Sequence, residues 1–188
     1  MTEVLSRSGL PDASEWHPFH HISLGHLLPG IAPDAAMGHP DDAHAFLKAQ
    51  LSEFEALPQS IPPDREAFRY APGKWSVRQL IGHLSDTERI LSFRALCAAR
   101  GDASPIPPFN EETYAATAGH EEIPVAALVS ELVAVRRASL TLFATFTAEA
   151  WPRRGNGGGH PVSARAWAFA IGCHAQLHLN TLRTRYLD

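Results

Sequence analysis

Cysteine is scarce in this sequence, since Cys97 and Cys173 are the two present in 188 residues. Both lie in stretches with helical periodicity, so we expect buried free thiols rather than a disulfide or a reactive pair. Charged residues are also few, at 19%, and they sum to a formal charge of −4. A weakly acidic chain lacks the basic surface that nucleic acids require, so we expect no nucleic-acid partner.

Long apolar runs are absent as well, and none reaches the roughly 20 residues needed to span a bilayer. The N-terminus shows no charged segment followed by an apolar one, as a secretory signal would. We therefore expect a cytoplasmic protein with no membrane partner. The glycine-rich stretch Gly155–His160 lacks the Gly-Lys-Ser/Thr ending of a phosphate-binding loop and follows a helix, so we expect a flexible loop there.

Convincing strand patterns are lacking too, whereas helical periodicity is strong in four segments. The first helix is predicted from about Asp42 to Ala56, with Pro58 as its stop signal. The second is predicted from Ser76 to about Arg100. The third begins near Pro124, and the fourth is capped by Ser163.

Local signals are densest at the ends of the second predicted helix. Ser76 is a natural N-cap, Gln79 can complete a capping box with it, and Gly101 stands where a C-terminal cap is expected. On the third helix, Arg136 and Arg137 are expected to lie on a solvated face.

The connection from Asp102 to Ile123 is long and rich in proline. A loop of this length is usually functional or a crossover, so neighbouring helices need not all be antiparallel. Within it, Phe109–Tyr114 can form a short helical turn. The fold is therefore predicted to be all-α, a four-helix bundle over residues 42–188 with a long crossover between helices 2 and 3. An irregular, proline-rich and partly disordered N-terminal arm is predicted for residues 1–41.

Three histidines on the predicted helices form a candidate metal site. His174 and His178 are four residues apart on the fourth helix, so their rings share one face, and His83 lies close to the apolar face of the second. Two such imidazoles can bind one metal ion, and a third would complete a site with open coordination positions. The alternative is that the three rings are hydrogen-bonded core residues, and spacing alone leaves both readings open.

A second group of histidines lies in the arm, at His17, His20, His21 and His26. His17 and His21 have the same spacing of four residues, but Pro18 between them makes a regular helix doubtful. Metal binding by this group is therefore the less favoured hypothesis.

Several short motifs, in this order, resemble the DinB-like (YfiT-like) superfamily. The resemblance covers roughly residues 41–188, with a further likeness at 15–19, and rests on Tyr70–Ser76, Gly82–Arg89, Arg94–Leu96, Arg100–Asp102, Phe109–Asn110, His160–Ser163 and the pair His174 and His178. It implies a bundle that holds one divalent metal ion, often nickel or zinc. The ligands in that family are one histidine of the second helix and two of the fourth, and His83, His174 and His178 match these positions.

The fourth helix departs from the family pattern in one place. Relatives often carry Glu and an additional His between the two ligands, where this chain has Ala175-Gln176-Leu177. A nearby acid or base is therefore missing from the motif. Two other polar residues are candidates for a supporting role: Asp86, one turn from His83, could orient a ligand, and Asn110 could reach the cleft from the crossover.

The resemblance implies a small metal-dependent enzyme that acts on a small molecule. Two reactions fit it, namely transfer of a low-molecular-weight thiol to an electrophile and hydrolysis. The alternative is a non-catalytic, metal-binding stress-response protein. Assembly into a homodimer is compatible with either reading.

Overall fold

The structure, a computed structural model, describes residues 43–157 and 160–188. Within this part, the elements in chain order are α1 (Ala43–Ser60), α2 (Val77–Ala99), α3 (Glu111–Thr117), α4 (Val125–Phe143), β1 (Arg154–Gly157), β2 (His160–Ser163) and α5 (Ala164–Thr181). Short 3₁₀ turns occur at Pro63–Arg65 and His120–Glu122, and α5 continues as a π-helical segment, Leu182–Leu187. The predicted arm lies outside the described residues. No described helix is long and apolar enough to cross a membrane.

Helices α2 and α4 run parallel, and this is why the connection between them must be long. Arg89 of α2 pairs with Glu131 of α4 (2.7 Å), and Ser92 hydrogen-bonds with Ser139 (2.9 Å), so residue numbers rise together along the two helices. A chain that leaves the end of α2 has to return along the bundle before it starts α4. The predicted all-α bundle with a crossover is confirmed, and its third and fourth helices are α4 and α5.

Helix α5 runs antiparallel to α2, and this pairing builds the candidate site. His83 contacts His174 near the start of α2, whereas Arg94, further along α2, contacts Trp167, which precedes His174 on α5. Both α1 and α2 pack against α4 and α5. The first two helices therefore lie diagonally across the bundle.

A buried ion pair joins α2 to α4. The prediction that Arg136 lies with Arg137 on a solvated face is wrong for Arg136, which is fully buried. Its Nε donates to both carboxylate oxygens of Glu88, at 2.8 and 3.0 Å. Arg137 is exposed and pairs with Glu55 at 2.7 Å.

The Arg136 guanidinium also connects α4 to α1 directly and, through Gln50, to α5. Its Nη1 donates to the Leu47 carbonyl oxygen (3.0 Å) and to Oε1 of Gln50 (2.9 Å) on α1. Gln50 in turn donates through Nε2 to the Gly172 carbonyl oxygen (2.9 Å) and to Oε1 of Gln176 (3.1 Å) on α5. One polar network therefore links all four long helices.

Both ends of α2 form the caps that the local signals predict. The Gln79 N–H donates to Ser76 Oγ (3.2 Å), and the Ser76 N–H donates to Gln79 Oε1 (3.1 Å), which completes the capping box. At the other end Gly101 has a φ of +76°. Its N–H donates to the Ala98 carbonyl oxygen, and the following N–H donates to that of Cys97, each at 2.9 Å, so the orphan carbonyls of the last turn are satisfied.

The capping box yields a stability prediction. Replacing Ser76 with alanine should lower the free energy of unfolding by about 1 kcal/mol, because the Gln79 N–H loses its acceptor. Urea titration followed by circular dichroism measures this change. Ser76→Asp keeps an acceptor at the same place and should recover most of the loss, so an equal loss in both variants would contradict the capping role.

Helix α1 extends past its predicted stop at Pro58. That stop is wrong, because Pro58 lies inside the last turn and the helix continues to Ser60. Leu57 and Ile61, on either side of the proline, are both buried in the core. The Ile61 N–H donates to the Leu57 carbonyl oxygen at 3.1 Å, so packing and this hydrogen bond hold the turn despite the proline.

In the stretch predicted as a flexible loop, Gly155–His160, the described residues lie in paired antiparallel strands instead, with Gly155, Asn156 and Gly157 in β1 and His160 at the start of β2. Gly155 and Gly157 are placed by close packing rather than by flexibility. A Cβ on Gly157 would lie 2.7 Å from Cζ2 of Trp167, and one on Gly155 would lie 3.1 Å from the Cα of Ala98. The strand pair therefore packs against the end of α2 opposite the capping box and against Trp167 of α5.

Candidate metal centre

Helices α2 and α5 bring the three predicted histidines together. His83 Nε2 lies 3.0 Å from His174 Nε2, and His178 Nε2 lies 3.1 Å from the same atom. One ring nitrogen from each residue falls within 4.8 Å of the other two. The arm histidines lie outside the described residues, so metal binding by that group stays a hypothesis.

The donor set fits a divalent metal ion. In a tetrahedral zinc site with Zn–N bonds of about 2.1 Å, neighbouring ligand nitrogens are about 3.4 Å apart, close to the spacing of these imidazoles. Neutral imidazole suits zinc, nickel and copper, and three protein ligands leave at least one position open. His174 is the central ligand, because its Nε2 faces both of the others.

Burial keeps these imidazoles neutral, which is the form that coordinates a metal. Burial, and then the neighbouring His178, lowers the pKa of His83 to about 3. Burial lowers the pKa of His178 to about 4. Burial and the two other rings lower the pKa of His174 well below its ordinary value. At neutral pH the cluster is therefore ready to coordinate without first losing protons.

The lowered pKa values predict acid sensitivity of the metal-free protein. The unfolded chain binds a proton at each histidine near pH 6.5, whereas folded His83 and His178 stay neutral down to about pH 3 and 4. The unfolded state therefore gains protons first, and each histidine should lower stability by about 1.4 kcal/mol per pH unit as pH falls from 6.5 toward 4. Urea unfolding of chelator-treated protein across this range measures the slope. The same slope in His83→Ala would contradict the assignment.

A tryptophan and a threonine surround the cluster. The Trp75 ring packs against the His83 ring with centroids 4.5 Å apart and against that of His178 at 6.4 Å. Thr87 Oγ1 lies 3.4 Å from His83 Nδ1, one helical turn along α2. Trp75 Nε1 donates to the Glu112 carboxylate at 3.0 Å. Trp75 therefore lies between this acidic residue of α3 and the imidazoles.

A cavity of about 820 Å³ opens beside the histidines. His174 and His178 form part of its wall, and this volume is in the range of pockets that hold small molecules. Most of the remaining wall is apolar or aromatic, including Leu91, Phe109, Trp167, Ala170 and Leu177. The site is thus an open one, with imidazoles facing a space that a substrate can enter.

Arg94 is a cavity residue to which the sequence analysis assigns no role. It is 4% exposed, its Nη2 donates to the Pro107 carbonyl oxygen at 3.2 Å, and burial lowers its pKa. The signal that could have found it is its spacing, because Arg94 follows His83 by eleven residues, close to three full helical turns. It therefore lies on the same face of α2 as His83.

Asp86 and Asn110, the candidate supporting residues, lie in different places. Burial raises the pKa of the Asp86 carboxyl, and the charges of His120, Glu131 and Arg89 also act on it. Among the described residues the structure gives it no hydrogen bond to a cluster imidazole, and Thr87 occupies that position instead. Asn110 does reach the cavity wall, where its Oδ1 also caps α3.

Neither cysteine forms part of the cavity wall, and both are free and buried, as expected. Burial raises the pKa of the Cys173 thiol to about 12 and also raises that of Cys97. A thiol with a raised pKa is a poor nucleophile at neutral pH. Neither thiol is therefore a candidate nucleophile for chemistry in the cavity.

Comparison with known proteins agrees with this architecture. The profile of the DinB superfamily matches residues 46–182. A solved structure with a similar fold is that of YfiT from Bacillus subtilis, described as a probable metal-dependent hydrolase with an unusual four-helix bundle topology. It is 14% identical to this chain, with a TM-score of 0.62, and the alignment covers 80% of this chain and 91% of that one. No curated protein matches. Since the family profile spans most of the sequence, the chain belongs to the DinB superfamily.

Proposed function

We propose that the protein is an enzyme that uses one divalent metal ion, nickel or zinc, held by His83, His174 and His178. The observation that carries this proposal is the convergence of three neutral imidazoles, two of which, His174 and His178, lie in the wall of an open cavity. When bound, such an ion supplies Lewis-acid chemistry, because it lowers the pKa of a water and deprotonates a coordinating thiol. The substrate is a small molecule that enters the cavity.

Thiol transfer to an electrophile is the reaction that the surroundings favour. Hydrolysis also needs a group that moves a proton to the leaving atom, usually a carboxylate or an imidazole within reach. In residues 43–157 and 160–188, no carboxylate is hydrogen-bonded to the three imidazoles, and α5 carries Ala175-Gln176-Leu177 between its two histidines. Transfer of a thiol is less dependent on such a base.

Hydrolysis is the second candidate. It is supported by the description of YfiT, whose fold this chain shares, as a probable metal-dependent hydrolase. Glu112, which accepts a hydrogen bond from Trp75, is the carboxylate that could serve it. A purely metal-binding role without catalysis is the third reading, and the open cavity argues against it.

Metal-loaded protein assayed for both reactions tests the proposal. Conjugation of low-molecular-weight thiols to monochlorobimane reports thiol transfer, and p-nitrophenyl ester cleavage reports hydrolysis. We expect conjugation that chelation and His174→Ala both remove, whereas Cys173→Ala retains it. Ester cleavage alone would assign hydrolysis. One bound ion without either reaction would support the non-catalytic reading.

A further inference from the structure

Arg94 is a buried cation in the cavity wall, and no described residue offers it a carboxylate. Its Nε is buried without a hydrogen-bond acceptor among the described residues. Arg136, the other deeply buried guanidinium, also has one nitrogen without an acceptor, Nη2, but its charge is paired through Nε with both oxygens of Glu88. Arg94 donates instead to a neutral acceptor, the Pro107 carbonyl oxygen. Burying an unpaired charge is unfavourable, so the environment of Arg94 is incomplete without an anion.

Two aromatic rings hold the Arg94 guanidinium in place. Its Cζ lies 5.2 Å from the centre of the Trp167 ring and 6.0 Å from that of Phe109. Both rings belong to the cavity wall. Aromatic faces stabilise a cation, but they provide no acceptor in the plane of the N–H groups. A ligand oxygen in the cavity can provide that acceptor.

The cavity therefore has two chemically distinct ends. Arg94 lies three turns beyond His83 on α2, about 16 Å along the helix axis. On the facing helix, Trp167 precedes His174 by seven residues, about 10 Å. Between these ends the wall is largely apolar, with Leu91 on α2 and Ala170 on α5.

The ligand preference of the histidine end, rather than its mixed side-chain charges, gives the cavity a direction. Glu112 is tied to the Trp75 indole, and the indole contacts the rings of His83 and His178. Lys74, next to Trp75 in the sequence, also lines the cavity, so the side-chain charges at this end do not select a carboxylate. A zinc or nickel ion held by the imidazoles prefers a soft thiolate to a carboxylate, whereas Arg94 attracts the carboxylate. An elongated ligand with a single carboxylate would thus place it at the Arg94 end.

We propose that Arg94 binds a carboxylate of the substrate, whose reacting group then lies at the three histidines. This inference rests on the proposed function for the identity of the reacting end. It defines a substrate class, namely small molecules that carry a carboxylate, an apolar spacer of about 10 Å and a reactive group at the other end. The guanidinium binds and orients the substrate and takes no part in the chemical step.

The test uses ω-mercaptoalkanoic acids of six to twelve carbons (about 7–15 Å when extended) and their methyl esters, titrated into zinc-loaded protein by calorimetry. We expect the acid to bind about tenfold or more tightly than its ester, because the ester cannot form the charge-assisted hydrogen bond between a carboxylate and the guanidinium. The preference should peak at an intermediate chain length. Equal binding of acid and ester by wild-type protein, or no binding of either, would overturn the proposal.

Arg94→Met keeps the length and apolar packing of the side chain, so it should abolish the preference for the acid without changing metal stoichiometry or ester affinity. Arg100→Met is the matched control, because Arg100 is an exposed cation that caps the same helix and lies outside the cavity wall. A preference retained in Arg94→Met would also overturn the assignment. Even if Arg94→Met does not fold, the comparison of acid and ester in the wild-type protein still tests whether the cavity binds a carboxylate.

Metal-stripped protein and His174→Ala separate this inference from the proposed function. Thermal shift with millimolar acid or ester reports binding in both of these forms. If the protein binds no ion but still prefers the acid through Arg94, the proposed function fails and the carboxylate subsite stands. If the ion is bound but the acid has no advantage, the metal site stands and the role of Arg94 is wrong.

Discussion

Replacing His174 with alanine is expected to weaken binding of a divalent ion by more than about a hundredfold while leaving the protein folded. His174 Nε2 faces both His83 Nε2 (3.0 Å) and His178 Nε2 (3.1 Å), so its removal leaves two separated ligands. Loss of a hydrogen bond that merely supports a ligand already costs 10–100-fold, and loss of the central ligand should cost more. Elemental analysis after dialysis and titration against a chromophoric chelator measure the affinity.

Alanine variants of His17, His20 and His21 are the controls, because these histidines lie outside the proposed site, in the predicted arm. They should bind one ion per chain as the wild type does. Acid should release the ion, and the lowered pKa values place this release below pH 6.5. Arm variants that lose the ion, together with His83→Ala, His174→Ala and His178→Ala variants that keep it, would show that the metal site is elsewhere.

The second large effect is expected at Arg136. Arg136→Ala should destabilise the fold by about 3–5 kcal/mol, because it leaves the Glu88 carboxylate buried without its partner. The substitution also removes the donor to Leu47 and Gln50, so the contact between α1 and α4 should loosen. Urea unfolding monitored by circular dichroism measures the change.

Arg137→Ala is the matched control, because it removes the same side chain one position further along α4. Its partner Glu55 is exposed, and pairs of that kind contribute about 0–1 kcal/mol. Equal losses in the two variants would contradict the role given to burial. Replacing Glu88 and Arg136 together, with glutamine and methionine, should recover part of the loss, since no unpaired charge then remains in the core.

Local signals predicted the helices well, because caps and apolar periods act within a few residues. The capping box of Ser76 and Gln79 and the left-handed Gly101 at the end of α2 are confirmed by their hydrogen bonds. The stop assigned to Pro58 is wrong, because core packing of the flanking Leu57 and Ile61 outweighs the helix-breaking tendency of proline.

The prediction of a flexible loop in the glycine-rich stretch was wrong for a related reason. Sequence alone cannot distinguish a glycine that confers flexibility from one that permits close contact. A side chain at Gly157 would clash with the Trp167 ring, which belongs to α5. The need for glycine at this position therefore appears only when β1 packs against α5.

The sequence by itself determined the four helices, the crossover and the identity of the three candidate metal ligands. His174 and His178 share a helical face because of their spacing, and the resemblance pointed to His83. Only the tertiary structure decided which charges are buried and what faces them, because those partners come from different helices. It paired Arg136 with Glu88, brought Thr87 rather than Asp86 within hydrogen-bonding distance of His83, and left Arg94 in the cavity wall without a carboxylate among the described residues. The cost of burying a charge depends on its neighbours in space, and a linear pattern does not contain that information.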